Sequence, residues 1–332
     1  MAGPARLSGP GGRATILDVA AAAGVSRQTV TRAMNGMPGI SATTRERVLA
    51  AAEALQYRPS RFGRGLVTGG ERQLGLVVDD LRNPYSPALA AAVVRRAAGL
   101  CWNVLLADAG LAGDAGRMLE ALGAQADVVV GYLGGRAADW VDRVGPVPVV
   151  LLDPADPGDA PSVVLDRSAA VEALADHLRG VGIVSAAVLD PRTGPPSPRG
   201  ALLESACTRR GIAVRIVPDV AMTAEGAADA TTRLLADGPR PDAVLAFNDV
   251  MALGALSACR RAGVDVPGDV RVTGFDGLDL GGLVAPTLTT LAVDLDEVAA
   301  AALDLAVALA DAAPLPTPQR TVQHHLLLRE SA

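Results

Sequence analysis

Polar side chains with helical spacing lie between Ser26 and Asn35. At about 100° per residue, Arg27, Gln28 and Arg32 share one face of a helix whose opposite face is apolar. Arginine can bind guanine and glutamine can bind adenine through paired hydrogen bonds, so these three residues predict reading of base edges in a DNA major groove. Phosphate contacts, which fix the register on DNA, are predicted for Thr15, Ser26, Thr29, Thr31, Asn35 and Tyr57.

Two short helices joined by a tight turn would hold this polar face in place. Thr15 is a suitable cap for the first helix, and Ser26 is a suitable cap for the second. Gly24 lies between them and tolerates the left-handed conformation that such a turn often needs. An ordinary amphipathic helix pair with a solvated polar face would give the same local pattern, so the surrounding sequence has to decide between the two.

The surroundings of the motif are helical and basic. A third helix is predicted over Arg45–Gln56, capped by Ser41 or Thr43, with Val48, Leu49, Ala52 and Leu55 as its apolar stripe. Residues 1–70 contain nine arginines and three acidic residues, whereas the remainder contains 21 arginines and 33 acidic residues. A basic unit on an acidic body suits binding of a phosphate backbone at one end only. A chance excess of arginine is the alternative, since the chain contains no lysine.

Composition limits the class of protein. The 332 residues are 50% apolar but only 2% aromatic, enough for a small domain and a large core with two lobes. Cys101, Cys207 and Cys259 lie far apart in apolar helical contexts, so we expect reduced structural thiols, no disulfide framework and no metal site. No apolar run approaches about 18 residues, and residues 1–13 predict a disordered tail rather than a signal peptide. We therefore expect a cytoplasmic protein with no membrane contact and no cofactor.

From Gln73 onwards, apolar runs alternate with alanine-rich helical stretches. This alternation predicts an α/β core of parallel sheets covered by helices on both faces. The predicted strands are Leu74–Val78, Val104–Ala107, Asp127–Tyr132, Val147–Leu152, Ala186–Leu189, Val214–Val217, Ala243–Phe247, Val270–Phe275, Leu288–Val293 and Thr321–Leu328. A helix over Asp294–Ala310 is predicted before the last strand.

Over nearly its full length the chain resembles the LacI/GalR (lactose-repressor) family of transcriptional regulators. The blocks that carry the resemblance are 18–35, Thr44–Val48, Leu55–Pro59, Asp80–Tyr85, Phe247–Ala255, Val266–Val270, Gly274–Asp276 and Pro286–Thr290. The resemblance implies an all-α helix-turn-helix headpiece followed by a two-lobed, periplasmic-binding-protein-like α/β core. One helix-turn-helix makes too few base contacts, so we also expect a homodimer that binds a palindromic operator in double-stranded DNA.

The resemblance also implies domain bounds. Residues 1–13 would be the tail, 14–58 the headpiece, 59–72 the hinge and 73–330 the core for dimerisation and effector binding. The N-lobe would comprise about 73–166 and 291–318, and the C-lobe about 167–290 and 319–330. In the hinge, Leu66 matches the residue that wedges into the minor groove, with Arg61 and Arg64 beside it.

A small-molecule effector would bind between the lobes. Arg199, Asn248 and Asp276 match effector-contacting positions of the family on the C-lobe side, and Asn83, Tyr85 and Asp153 would line the N-lobe side. Guanidinium, amide and carboxylate groups together suit the vicinal hydroxyls of a sugar or sugar derivative. Turn and cap chemistry is the alternative role for Asn248 and Asp276. Ala221 falls where sugar-binding members often have a stacking aromatic ring, a place that Tyr85, Tyr132 or Trp140 could fill.

The sequence favours a repressor of carbohydrate-related genes and leaves other functions open. A regulator of another metabolite that uses a corepressor remains an alternative, and a periplasmic-type sugar-binding protein would lack the headpiece. A nicotinamide enzyme would need a Gly-x-Gly-x-x-Gly turn after a strand, and Gly131–Gly135 is too loose a match. His177, His324 and His325 are more typical of structural or exposed residues than of catalytic bases, so we expect no catalytic residue and no enzyme activity.

Overall fold

The computed structural model describes residues 16–34, 37, 39–55, 72–110, 115–132, 147–315 and 317–332. The chain divides into two compact units, Met1–Arg72 and Gln73–Ala332. In the described residues the helices are α1 (Ile16–Ala23), α2 (Arg27–Met34), α3 (Ala42–Ala54), α4 (Tyr85–Ala98), α5 (Ala115–Gly123), α6 (Ser168–Gly180), α7 (Pro198–Arg209), α8 (Ala224–Ala236), α9 (Asp249–Arg261) and α10 (Leu295–Ala310). The strands are β1 (Arg72–Val78), β2 (Trp102–Asp108), β3 (Val128–Gly131), β4 (Val149–Leu152), β5 (Ser162–Asp166), β6 (Ser185–Leu189), β7 (Ala213–Val217), β8 (Ala243–Ala246), β9 (Arg271–Asp276), β10 (Thr289–Val293) and β11 (Gln319–Leu327).

Helices α1, α2 and α3 form the predicted three-helix unit. Their small apolar side chains pack into one cluster that includes Val19, Val30 and Val48, all fully buried. Gly24 has a φ of +61°, and the Val25 N–H donates to the Ala20 carbonyl, so the tight turn between α1 and α2 is confirmed.

The third helix differs from the sequence prediction in two respects. It begins at Ala42 instead of Arg45, because the Ser41 hydroxyl accepts a hydrogen bond from the Thr44 N–H and caps the helix. Of the predicted apolar stripe, Val48 and Ala52 are buried, but Leu49 and Leu55 are 44% and 38% exposed. Helical spacing identifies which face of a helix is apolar, but it does not show how much of that face the neighbouring helices will bury.

The second unit is the predicted α/β core, and its described strands follow the order β2-β1-β3-β4-β5-β11-β10-β9-β8-β6-β7. We define the N-lobe as β1–β5 with α4, α5 and α10, and the C-lobe as β6–β10 with α6–α9. Apolar clusters lie on both faces of the sheet in each lobe, which explains why the strands read as continuous apolar runs.

Strand β11 belongs to both lobes. Residues Gln319–Gln323 pair in parallel with β5, and His324–Leu327 pair antiparallel with β10. The expectation that residues 319–330 lie wholly in the C-lobe was therefore wrong, because the first half of β11 extends the N-lobe sheet. The sequence prediction also missed β5, a five-residue strand with polar residues at both ends.

The three cysteines are free, and Cys101, which was expected in a helical context, is not in a helix. It is exposed in the turn after α4, with a φ of +59°, whereas Cys207 and Cys259 are buried in α7 and α9. In the part of the chain that the structure describes, no helix has the length and apolar character needed to span a membrane.

Candidate functional site

Helix α2 presents the predicted base-reading residues to solvent. Arg27, Gln28 and Arg32 are exposed, while Val30 and Ala33 on the opposite face are buried against the other two helices. The burial of the apolar face fixes the rotation of α2 about its axis. The three long polar side chains are therefore free to contact a ligand that approaches the outer face.

Three of the predicted phosphate-contacting residues make local hydrogen bonds. The Ser26 hydroxyl accepts from the Thr29 N–H at 3.1 Å and so caps α2, and it lies 2.9 Å from the Thr29 hydroxyl. The Thr31 hydroxyl donates to the Arg27 carbonyl at 3.1 Å. Ser26 is exposed and both threonines are partly exposed. The remaining predicted DNA contacts, Thr15, Asn35, Tyr57, Arg61, Arg64 and Leu66, lie outside the described residues.

In the core, polar residues follow the strands of the N-lobe at one edge of its sheet. Asp79 follows β1, Tyr132 follows β3, Asp153 follows β4 and Arg167 follows β5. Because these strands are parallel, their carboxyl ends meet at the same edge, where open α/β sheets bind ligands. The Tyr132 N–H donates to the Val77 carbonyl at 3.2 Å, which places Tyr132 beside the end of β1.

Asp153 forms an ion pair with Arg167. Asp153 has a φ of +45°, and its carboxylate also accepts a hydrogen bond from the Leu165 N–H at 3.2 Å. Arg167 lies between β5 and α6, where the chain passes from one lobe to the other. This ion pair therefore ties the carboxyl end of β4 to the first crossing between the lobes.

On the C-lobe side, Arg199 is bound by Asp276. The Arg199 Nη1 donates to Asp276 Oδ1 and to the Phe247 carbonyl, both at 3.1 Å. The guanidinium also lies over the rings of Phe247 and Phe275, at 4.8 and 4.4 Å from their centroids. Arg199 stands in the first turn of α7, and the Pro-rich segment before it ends at the N-cap Ser197.

A buried carboxylate organises the turn that carries Asp276. Asp276 and Gly277 have φ angles of +120° and +78°. Asp249, fully buried, accepts hydrogen bonds from the Leu278 N–H and the Thr290 hydroxyl, both at 2.6 Å. These bonds anchor the chain directly after Asp276 and so hold its side chain beside Arg199.

Charged and polar residues of the two lobes are close enough to affect one another electrostatically. Arg199 of the C-lobe acts on the ionisation of Asp79, Tyr85 and Tyr132 of the N-lobe. We call the seven residues that meet here the interlobe cluster: Asp79, Tyr85, Tyr132, Asp153, Arg167, Arg199 and Asp276. Of the three Tyr and three Phe in the chain, Phe247 and Phe275 contact the Arg199 guanidinium, and Tyr85 and Tyr132 are close enough to be affected by its charge.

Burial shifts the pKa of several groups in and below the interlobe cluster. Desolvation raises the pKa of Asp276 to about 7 against the opposing effect of Arg199, and the nearby Asp249 raises it further. Desolvation also raises the pKa values of Asp79 and Asp249 to about 6. His324, buried against Phe275, has its pKa lowered to about 4 by desolvation and then by Arg167 and Arg199. His324 is therefore neutral at physiological pH.

Tyr85 and Tyr132, two of the residues expected to replace a stacking ring at the Ala221 position, contact each other, and Tyr85 is only 9% exposed. The hydroxyls of Tyr85 and Tyr132 are 2.6 Å apart, and the two rings meet edge to face with centroids 6.2 Å apart. Desolvation raises the pKa of both hydroxyls, so both stay protonated. Trp140, the third residue considered for this place, lies outside the described residues.

Asn83 and Asn248 act locally, through the turn and cap chemistry named as the alternative for Asn248. The Asn248 amide oxygen accepts from the Met251 N–H at 2.8 Å and caps α9, and the residue is only 2% exposed. The Asn83 amide oxygen accepts from the Tyr85 N–H at 3.1 Å. Both side chains shape the loops that carry Phe247 and Tyr85.

Sequence reasoning missed Asp79, Arg167, Phe275 and Asp249 as members or supports of this arrangement. The first two directly follow predicted or observed strands, so position at the carboxyl edge of the sheet was the signal that could have found them. Asp249 gave no such signal, because its role depends on a turn that is distant in sequence. In the described residues, no group of three or more His, Cys, Asp or Glu side chains is arranged to hold a metal ion.

Two of the surface cavities formed by the described residues lie outside the interlobe cluster. One of about 340 Å³ is lined by residues of α8 and α9, including Glu225, Asp229 and Arg261. The other, of about 150 Å³, lies between α9 and Val284–Ala285. Neither cavity includes any of the predicted effector residues.

Comparison with known proteins covers both units. Residues 15–60 match the family described as "Bacterial regulatory proteins, lacI family", and residues 175–332 match the "Periplasmic binding protein-like domain". Catabolite control protein A of Priestia megaterium is 30% identical over 303 residues, which are 88% of this chain and 91% of that protein.

Solved structures agree with the sequence relatives. A LacI family transcriptional regulator from Arthrobacter sp. FB24, in complex with lactose, is 35% identical with a TM-score of 0.73, covering 78% of this chain and 99% of its own. The Lac repressor dimer bound to operator and the anti-inducer ONPF is 26% identical with a TM-score of 0.73, covering 96% of this chain and 99% of its own. The expected fold class is confirmed.

Proposed function

Because the chain belongs to the lacI family of bacterial regulatory proteins, we propose that it is a sequence-specific DNA-binding repressor of sugar-related genes. A small sugar bound at the interlobe cluster changes its affinity for operator DNA. The observation that carries the proposal is helix α2, which exposes Arg27, Gln28 and Arg32 over a buried apolar face. A helix of this construction can enter the major groove and read base edges.

Two copies of the chain act together on a palindromic operator. One short helix makes few base contacts, and a symmetric pair doubles them at two half-sites. A relative of this chain is a dimer on its operator, which supports the same arrangement here. In the hinge, Arg61, Arg64 and Leu66 would contact the minor groove. Thr15, Ser26, Thr29, Thr31, Asn35 and Tyr57 would contact phosphates.

The effector is a sugar or sugar derivative. Arg199, Asp276 and Asp153 supply donors and acceptors for hydroxyl groups, and Tyr85 supplies an aromatic surface against a sugar ring. Asn83 and Asn248 complete the site through the loops that they shape. A relative at 35% identity binds lactose, which supports a carbohydrate in this position. The proposed role requires no catalysis and places the protein with the DNA in the cytoplasm.

The first test is selection of a binding sequence from random duplex DNA with the purified protein. We expect a palindromic consensus, and we expect Arg27→Ala or Gln28→Ala to weaken binding and relax the base preference at single positions in each half-site. Arg47→Ala, at an exposed arginine of α3, is the matched control and should keep the consensus. Absence of any enriched sequence would contradict the proposal.

The second test measures operator affinity in the presence of sugars that stabilise the protein in thermal-shift assays. A sugar that raises the melting temperature should change operator affinity, because an effector acts through its different affinities for two lobe arrangements. A decrease identifies an inducer, and an increase identifies a corepressor. A bound sugar without any effect on operator affinity would contradict regulation through the interlobe cluster.

A further inference from the structure

The interlobe cluster contains three carboxyl groups but only two guanidinium groups. Each guanidinium is already paired within the cluster, Arg199 with Asp276 and Arg167 with Asp153. Asp79 remains as a third carboxylate. Among the described residues, no hydrogen-bond donor or ion-pair partner contacts its side chain, although it feels the charge of Arg199. The cluster thus offers a ligand one carboxylate whose bonding capacity is unused.

Asp79 stands where a ligand between the lobes would meet it. It is the first residue after β1, at the carboxyl edge of the N-lobe sheet, and the neighbouring strand β3 brings Tyr132 alongside. The side chain is exposed, yet the surrounding protein partly desolvates its carboxyl group. Of the two nearby carboxylates, Asp80 is paired with Arg82 at 3.0 Å, and Asp108 accepts a hydrogen bond from the Leu81 N–H at 2.9 Å. No cation in the described chain compensates Asp79 by direct contact.

We propose that Asp79 makes the interlobe cluster selective for neutral and amino sugars and excludes acidic and phosphorylated sugars. A carboxylate accepts hydrogen bonds from hydroxyl groups and pairs with an ammonium group, but it repels a carboxylate or phosphate on the ligand. Above pH 7 the two arginines do not reverse this preference, because Asp153 and the ionised Asp276 then offset their charges. The inference rests on the proposed function, since it concerns the class of effector for the same site.

The experiment compares sugars that differ mainly in charge. Glucose, glucosamine, glucuronate and glucose 6-phosphate, with the corresponding galactose series, are titrated into the full-length protein and followed by calorimetry and thermal shift. Wild-type protein should bind the preferred neutral or amino sugar at least about tenfold more tightly than its acidic counterparts. Asp79→Asn should reduce that ratio by on the order of tenfold, because the amide keeps the shape and removes the charge.

Asp159→Asn is the matched control. Asp159 is an exposed carboxylate of the N-lobe. The adjacent Gly158 carbonyl accepts from Gln319 at the start of β11, so this loop lies near the amino-terminal edge of the sheet. The control makes the same change in net charge and should leave the preference between neutral and acidic sugars unaltered.

The outcomes separate this inference from the proposed function. If acidic sugars bind wild-type protein as well as neutral ones, or if Asp79→Asn leaves the ratio unchanged, Asp79 is not the selective residue, whereas regulation by a sugar stands. If no sugar binds, the sugar-effector function fails, and inorganic phosphate then tests Asp79 alone. Phosphate should stabilise Asp79→Asn against heat more than wild-type or Asp159→Asn protein, and equal stabilisation overturns the inference.

Discussion

The contacts of Arg199 require the planar shape and the several N–H donors of a guanidinium group. One nitrogen serves both the Asp276 carboxylate and the Phe247 carbonyl, and the planar guanidinium lies over two aromatic rings. A lysine would keep the charge but lose the planar shape and the additional donors. These contacts leave the outer part of the guanidinium for a ligand, since the side chain is 20% exposed.

Arg199→Lys should therefore lower effector affinity by about tenfold or more, because one charge-assisted hydrogen bond is worth roughly 1.5–3 kcal/mol. Operator affinity without effector should stay close to that of the wild type. Calorimetry with the effector and anisotropy with labelled operator measure the two quantities. Arg96→Lys changes an exposed ion pair with Asp304 and should affect neither. Equal effector affinity in Arg199→Lys and wild-type protein would contradict a direct contact.

Asp276 makes stability depend on pH. Its pKa of about 7 in the folded protein lies above the ordinary 3.8, so between these values the folded state holds a proton that the unfolded state has lost. The free energy of unfolding from this group therefore falls as pH rises, by at most about 1.4 kcal/mol per pH unit, and levels off above pH 8.

Asp276→Asn should show a smaller fall in melting temperature between pH 5 and 8 than the wild type. Other titrating groups, including His324, remain in both proteins, so the comparison isolates Asp276. Differential scanning calorimetry without effector gives the two curves, and Asp159→Asn should follow the wild-type curve. Parallel curves for Asp276→Asn and wild type would show that Asp276 is already ionised in this range.

The sequence predicted which individual residues belong to the site better than it predicted which residues contact one another. Arg199 and Asp276 were expected in one site because they match family positions, and the structure pairs them. The Arg167–Asp153 pair and the role of Asp249 depend on contacts between segments 14 to 41 residues apart. No local spacing rule predicts such contacts, because they arise only when the strands are in register.

The turn after β9 is the element that holds Asp276 in position. Gly277 has a φ of +78°, and a Cβ added there would lie 2.5 Å from the Cβ of Ala292 on β10. Both the left-handed backbone and the close approach of β10 require glycine. Directly after Gly277, the Leu278 N–H donates to Asp249, so the turn has little freedom to shift.

Gly277→Ala should destabilise the core by about 1–3 kcal/mol and displace Asp276, which would weaken effector binding. Chemical denaturation and calorimetry with the effector measure both effects. Gly180→Ala, at the end of α6, has an ordinary φ and nothing within 4 Å of the added Cβ. This control should leave stability unchanged or slightly higher, and an equally mild effect at Gly277 would contradict the constraint.

Helices and most strands were predictable because each has its own local signal. The turn at Gly24 and the cap at Ser26 gave the bounds of α1 and α2. Strand β5 was missed because a five-residue segment with polar ends is hard to distinguish from a loop. The exposure of Leu49 and Leu55 was missed because a small three-helix unit covers only part of an apolar face.

The two units of the molecule have opposite net charges and therefore interact differently with DNA. Residues 1–70 are basic and the remainder is acidic, so DNA is attracted to the first unit and repelled by the second. The attraction depends on counterion release and is therefore sensitive to salt.

Operator binding should involve two chains per duplex and lose about 10³-fold or more in affinity between 50 and 200 mM salt. Inactivating one half-site of the palindrome should cost at least about tenfold, because one headpiece then lacks its base contacts. Analytical ultracentrifugation and anisotropy titrations provide these measurements, with scrambled DNA as the reference for non-specific binding. A single chain per duplex, or affinity independent of the second half-site, would contradict the symmetric arrangement.

Strand β11 provides a direct backbone connection between the sheets of the two lobes, so a movement of one lobe affects the other. A rotation of one lobe against the other twists this strand between the ladder it forms with β5 and the ladder it forms with β10. Because backbone hydrogen bonds hold its first half to β5 and its second half to β10, β11 connects the sheets of the two lobes. His324, the first residue of its second ladder, packs against Phe275 beneath Arg199. A ligand bound to Arg199 would thus restrict the motion of β11 at His324, where its pairing changes from parallel with β5 to antiparallel with β10.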